Sequence, residues 1–532
     1  MPLDTTGAFT HPYPFKTKPF KHQLTCWLTQ KDRAAFAYFA EMGTGKSKML
    51  LDTAAWMYDQ DRINALVVIA PKGVYRNWAD SELPAHLPAH IRYRLGVWAA
   101  NPTRADLRAL EALQRKPNDV DLLVLLMNVE ALGRDIKINR AYAFLRDFLL
   151  GNNALMAIDE STTIKNPTAT RTKAVMKLRL LAPVRRILTG QPAVNGPLDL
   201  YSQCEFLDPD FLGYSSYYSY RAHFAKLVKL TRHLGNGKKR EFQKVTGYQN
   251  LDELNKILSR FAFIVKKEDC LDLPPKVYTT RHVELGVQQR KAYDQMKRLA
   301  IVEIEEVMKR QTGDVELVGG FELTPSETPV QGPQGPQLST AQLVITQMLR
   351  LHQILSGFMV TDEKKVIPFD EPNPRLEDLI EALGETAGRS IIWAVYKFNV
   401  RQIAARLAEE FGPESVVTYF GETSVEDRRV AIRRFQDPND PARFFVSNKT
   451  GARGITLTAA SYVWYYGNDY DLDTRCQNED RAHRIGQTKS VTYVDYVAPG
   501  TVDEKVVAAL RSKLDISKLI TASNWRQFLG AN

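Results

Sequence analysis

Cysteine is scarce in this sequence: four residues, Cys26, Cys204, Cys270 and Cys476, are scattered over 532 positions with no CxxC spacing and no adjoining His cluster. That excludes a disulfide framework, offers no zinc-ligand pattern, and leads us to expect reduced thiols in a cytoplasmic protein. Long apolar runs are missing as well. The opening MPLDTTGAFTHPYPFKTKPF lacks an apolar signal core, and stretches such as Leu122–Met127 are too short to span a bilayer, so neither export nor a membrane is expected. No repeat of solenoid period is visible. One-signed charge is modest: Lys and Arg number 71 against 61 Asp and Glu, and the net +10 favours a polyanionic partner only slightly over a solvated basic surface. What is present is ordinary for a globular chain, 44% hydrophobic and 25% charged, at a length that calls for two or more domains.

Two blocks of short apolar strands organise the chain. Ala35–Ala40, Ala65–Pro71, Asp121–Met127, Ala154–Glu160 and Arg185–Gly190 form the first; Ser390–Tyr396, Ser415–Phe420, Arg443–Asn448, Tyr462–Gly467 and Val491–Val497 form the second. Separated by helical stretches, each block fits a doubly wound parallel sheet of an α/β fold. The spacing predicts a first lobe over 1–208, a helical insertion over 209–268, and a linker with a second helical insertion over 269–385. A second lobe with a C-terminal helical brace follows over 386–532. The insertions hold a helical-looking Leu251–Phe263 and a Pro/Gly-rich patch, TPSETPVQGPQGPQ (Thr324–Gln337), expected as a flexible loop.

The strongest chemical signal is AEMGTGKSK (Ala40–Lys48), between the first strand and a helical segment. Gly43 and Gly45 let backbone N–H groups close on phosphate oxygens, Lys46 reaches the β and γ phosphates, and the Ser47 hydroxyl suits Mg²⁺. Met42, Thr44 and Lys48 complete the candidate nucleotide loop; Ala40 stands where the strict pattern has its first glycine. About 115 residues on, a strand ends in IDES (Ile158–Ser161), where Asp159 suits the metal and Glu160 the attacking water. Together they point to nucleoside-triphosphate hydrolysis. In DTRCQNEDRAHRIGQ (Asp473–Gln487), Arg481 and Arg484 are expected on one helical face, able to bridge a γ phosphate. A solvated basic helix is the plainer reading.

These segments, in this order, resemble the motifs of superfamily 2 helicases of the Swi/Snf type. FKHQ (Phe20–Gln23) resembles the adenine motif, AEMGTGKSK motif I, VVIAPKGVYRNW (Val67–Trp78) motif Ia, MNVEAL (Met127–Leu132) motif Ib and IDESTTIKNP motif II. LTGQPAVNGPLDLYSQCEFLDP (Leu188–Pro209) resembles motif III with its extension. IIWAVYKFNV, GETSVEDRRVAIRRF, SNKTGARGITLTAAS and DRAHRIGQ resemble motifs IV to VI, and LRLHQILSGF (Leu349–Phe358) the helical signature between the lobes. The resemblance covers residues 18 to about 505 and is similar to compact bacteriophage or bacterial forms.

It implies two RecA-like lobes and an ATP- and Mg²⁺-dependent monomeric motor on duplex or branched DNA, working beside replication, recombination or transcription proteins. It further implies that Gln23 reads adenine, that Gly454 and Gln477 line the nucleotide, and that Lys72, Lys165, Asn166, Lys449, Thr450 and Thr456 touch nucleic-acid phosphates. Lys72 and Lys449 also read as solvated lysines, Asn166 as a turn former before Pro167, and Thr456 as packing. The aromatic and basic Ser216–His233 reads either as a strand-separating wedge or as core. Gln191 replaces the usual Thr of motif III, which puts lobe coupling in doubt. An RNA-directed helicase and a binding protein with a decayed ATPase remain as alternatives.

Overall fold

A computed structural model describes residues 12–72, 74–114, 121–193, 196–233, 239–312, 340–361, 363–448 and 454–512. Contacts divide the chain into two compact units, 1–273 with 484–486, and 274–483 with 487–532.

The first unit is built on a seven-stranded, wholly parallel sheet in the order β3-β4-β2-β5-β6-β1-β9. Its strands are β1 (Ala35–Ala40), β2 (Ala65–Ala70), β3 (Tyr93–Val97), β4 (Leu122–Asn128), β5 (Ala154–Asp159), β6 (Val184–Thr189) and β9 (Ala262–Val265). The continuous apolar runs are explained by burial on both faces. Ala37, Phe39, Val67, Ile69, Leu125 and Ile158 face one core cluster, and the alternating Phe36, Tyr38, Val68, Leu126 and Ala157 face another. Register then sets the site: Phe39 pairs with Thr189 and Leu188 with Asp159, so β1, β6 and β5 end side by side at one carboxyl edge. In open parallel sheets, ligands bind outside that edge.

The second unit repeats the plan with six parallel strands in the order β10-β17-β16-β13-β15-β14. They are β10 (Lys276–His282), β13 (Arg389–Trp393), β14 (Val416–Tyr419), β15 (Phe444–Ser447), β16 (Ala460–Tyr465) and β17 (Val491–Val497). A short antiparallel pair, β11 (Phe358–Val360) and β12 (Val366–Pro368), lies between β10 and β13 in the chain.

Three sequence expectations change. Residues 209–268 are not a purely helical insertion: between the helices Tyr217–Phe224 and Leu251–Leu258 runs an antiparallel hairpin, β7 (Ala225–His233) and β8 (Lys239–Tyr248). The segment then returns to the first sheet as β9, while β10, expected as linker, becomes an edge strand of the second sheet. Edge strand β3 escaped notice because its partly exposed residues break the apolar run, with Arg94 bonded to Asp121 at 2.8 Å. Thr324–Gln337 lies outside the described residues. Among the described residues no helix is long and apolar enough to cross a membrane, and all four cysteines are free.

Candidate functional site

Helix α1 (Lys21–Gln30) precedes β1, which delivers the chain to the loop Glu41–Gly45, from which helix α2 (Lys46–Asp59) departs. Gly45 caps that helix at φ +87°, and a side chain on it would collide with the Gln23 amide, so only glycine fits. The Thr44 carbonyl accepts hydrogen bonds from Gln23 Nε2 at 3.0 Å and His22 Nε2 at 2.8 Å, and Gln23 Oε1 accepts from the Phe20 N–H at 3.0 Å. Gln23, expected at adenine, is therefore buried with both ends of its amide engaged, and it splints the loop from below. Burial lowers the His22 pKa, which keeps the ring neutral for its bond to Thr44.

Lys46 Nζ folds over the loop and donates to the carbonyls of Ala40 at 2.9 Å and Glu41 at 3.3 Å. Ser47 hydrogen-bonds Glu82. Lys48 departs from expectation: it is buried and paired with Asp52 one helical turn on, at 2.9 Å, so it braces α2 and is withdrawn from the nucleotide loop. Met42 is partly buried, and a Cβ on Gly190, just past β6, would stand 3.2 Å from its backbone nitrogen.

Asp159 ends β5 almost fully buried. Its carboxylate accepts from Trp78 Nε1 at 3.0 Å and from the Glu160 N–H at 3.1 Å. Burial raises its pKa against the opposing pull of the Trp78 bond and the Lys46 charge. Glu160 takes a left-handed backbone, φ +50° and ψ +62°, a strained state for a side chain of this length and one that collects at functional sites. Trp78 and Glu82 bound one turn of wide π helix, and Glu82 also accepts from Asn77 Nδ2 at 3.1 Å. Burial raises the Glu82 pKa, opposed by Arg484, Ser47, Asn77 and Lys46. Two desolvated carboxylates that feel one another's charge, a serine hydroxyl and an ammonium make a hard-oxygen site suited to Mg²⁺, which takes one or two protein carboxylates and draws its remaining ligands from phosphate and water. Among the described residues no three His, Cys, Asp or Glu gather as a stand-alone metal cage.

Behind the carboxylates, Ser161 Oγ donates to Gln203 Oε1 at 2.6 Å, and Gln203 Nε2 donates to the carbonyls of Pro192 at 2.7 Å and Asp199 at 2.8 Å. Motifs II and III are thus tied through Gln203. Gln191 itself is exposed, and its backbone N–H donates to Thr189 Oγ1 at 3.2 Å. Sequence reasoning missed Trp78, Glu82 and Gln203 as site residues; Trp78 stood inside the motif Ia segment and Gln203 inside the extension of motif III, while Glu82 lay outside every motif segment.

The arginine pair needs correction. The helix Leu472–Ala482 ends before Arg484, so the two do not share a helical face. Arg481 is buried in the second unit, donating to the carbonyls of Gln477 at 3.1 Å and Ile455 at 3.0 Å. Arg484 groups with the first unit, where a Cβ on Gly43 would stand 2.7 Å from the Arg484 Cβ. Gln477 is buried, and Gly454, at φ +75°, and the half-buried Thr456 flank Ile455. The closing Gln487 is a structural plug, its amide donating to the carbonyls of Thr458, Ala460 and Ala482 at 3.0 to 3.1 Å.

Of the phosphate-contact candidates, Lys72 is exposed and its backbone N–H bonds Glu130 at 3.0 Å. Lys165 pairs with Asp199 at 3.3 Å, and the Asn166 carbonyl oxygen caps Thr168 at 2.8 and 2.9 Å, the turn-forming role open to it from the start. Lys449 and Thr450 lie outside the described residues.

The SNF2-related domain model matches residues 20–321, more than half of the chain, and the Helicase conserved C-terminal domain matches residues 374–486. The chain belongs to the SNF2-related family. Gln23, the phosphate loop, Trp78, Glu82, Asp159 and Gln203 all fall inside the SNF2-related match, and Arg481 and Arg484 inside the C-terminal one. Among its relatives, the TATA-binding protein-associated factor MOT1 of Saccharomyces cerevisiae is 26% identical over 95% of this chain and 28% of its own length. An uncharacterized ATP-dependent helicase of Mycoplasma genitalium is 25% identical over 90% of this chain and 39% of its own. This SNF2-related chain therefore spans well under half the length of these two relatives. Among solved structures, a Sulfolobus solfataricus SWI2/SNF2 ATPase core in complex with dsDNA covers 99% of this chain and 100% of that one, at 23% identity and a TM-score of 0.40.

Proposed function

We propose that this SNF2-related chain hydrolyses ATP with Mg²⁺ and couples turnover to movement along DNA, remodelling forked or branched DNA or displacing proteins bound to it. The observation that carries the reading is the convergence of Lys46, Ser47, Glu82 and Asp159 where the phosphate loop meets the carboxyl edge of the first sheet. When bound, Mg²⁺ would supply charge neutralisation for phosphoryl transfer. Ser47 and Asp159 would hold it, with Trp78 orienting Asp159, and Lys46, now on the Ala40 and Glu41 carbonyls, would serve the phosphate oxygens. Glu160 aligns and deprotonates the attacking water, and Arg484, beside Gly43, balances charge developing on the γ phosphate. Arg481 braces the turn at Ile455. Contacts to DNA run mainly to phosphates and ignore sequence.

The test is ATP turnover measured alone and with linear duplex, forked, four-way, single-stranded DNA and RNA. Stimulation is expected to be greatest with duplex or branched DNA; preference for RNA would redirect the assignment. Lys46→Ala should abolish turnover. Glu160→Gln should leave ATP binding intact and lower turnover by about 10²-fold or more. Loss of binding in Glu160→Gln would refute its role as base.

A further inference from the structure

The β7–β8 hairpin contributes no residue to the nucleotide site described above, and its composition is strongly basic. Residues 225–248 carry seven Lys or Arg and one Glu, a net +6 within 24 residues. Among the described residues the two strands pair only with each other, from Ala225–Tyr248 to His233–Lys239. A lone two-stranded ribbon is marginally stable in water, and packing like charges onto it costs more still. A polyanionic partner would offset that cost.

The root is firm where the blade is exposed. Phe224 and Ala225 are buried, the Gln249 N–H donates to the Phe224 carbonyl at 3.0 Å, and Arg221 Nη2 donates to the Gln243 carbonyl at 2.9 Å. The Tyr248 ring occupies the space over Gly196, whose φ of +119° and missing side chain are both needed there. Gly196 lies in the loop that follows motif III. Lys226, Val228, Lys229 and Gln243, by contrast, are exposed.

We propose that the β7–β8 ribbon is a duplex-DNA contact element that grips phosphates through the exposed Lys226 and Lys229. The inference rests on the reading of the chain as a motor on DNA and names a surface that the nucleotide site does not supply. Strands of nine and ten residues reach about 30 Å, close to one turn of duplex, and a two-stranded ribbon matches the ~12 Å width of the major groove. Charge without a fixed hydrogen-bonding pattern suits sequence-independent contact.

The experiment compares the full chain with the double variant Lys226→Glu and Lys229→Glu, and with Lys226→Arg and Lys229→Arg, by anisotropy of a labelled duplex across a salt series. The glutamate variant should bind duplex at least ~10-fold more weakly near 0.1 M salt, with a log–log salt slope shallower by about 2. Basal ATP turnover without DNA should be unchanged, and the arginine variant should bind like the parent. Equal affinity and slope in glutamate variant and parent would overturn the ribbon assignment and leave the nucleotide chemistry standing. A parent that binds no DNA would overturn the reading on which the assignment rests. Loss confined to double-stranded RNA would overturn the choice of DNA.

Discussion

Trp78 shows what one side chain contributes to the candidate site. Its indole N–H is one of two donors to the buried Asp159 carboxylate, and it reaches across 81 residues of sequence. Trp78→Phe keeps the ring and removes the donor. Because partners that orient a metal ligand typically carry 10- to 100-fold of metal affinity, we expect the Mg²⁺ requirement for binding a fluorescent ADP analogue to rise about 10-fold. An unchanged Mg²⁺ titration would remove Trp78 from the site. Lys46, Ser47, Asp159 and Glu160 were legible in the sequence because each belongs to a short motif whose spacing encodes a turn. Trp78, Glu82 and Gln203 were not, because their partners are distant in sequence; the Ser161–Gln203 bond alone spans 42 positions. Lys48 was misread for the opposite reason: its motif is local, but its partner Asp52 is set by helical periodicity.

At the scale of elements, buried parallel strands announced themselves as apolar runs, whereas β3, β7, β8, β9 and β10 did not. β3 and β10 are sheet edges with mixed exposure, and in the basic hairpin Lys226, Val228 and Lys229 are all exposed, which breaks the alternation. Helix Leu472–Ala482 is held to its sheet by charge. Arg475 is buried, paired with Glu479 at 3.0 Å and Asp495 at 2.5 Å, and lies 3.4 Å from the Tyr465 ring centroid; Lys276 and Tyr278 of β10 reach the same Glu479 at 2.8 and 2.7 Å. Removing one member strands the other charges in a dry interior. Arg475→Leu should therefore destabilise the second unit by about 3 kcal/mol, read as a fall in the chemical-denaturation midpoint. A midpoint within error of the parent would show that Arg511, also bonded to Asp495, suffices.

For the whole molecule, two parallel α/β units were legible from the two strand blocks, because the period of buried strands survives insertions between them. The net +10 is too small to act as a general polyanion magnet, so local basic segments such as the ribbon carry the attraction. Duplex affinity is accordingly expected to fall linearly on a log–log salt plot and to vary little between duplexes of unrelated sequence. A flat salt response, or strong discrimination between sequences, would contradict phosphate tracking. The ribbon also closes on itself: the Gln249 N–H meets the Phe224 carbonyl at 3.0 Å, so the chain leaves and rejoins the first unit at almost one point. Such a junction is a natural splice site. Lineages can lengthen, shorten or exchange what lies between residues 224 and 249 by simple insertion and deletion, diversifying the target of the machine while its engine is inherited unaltered.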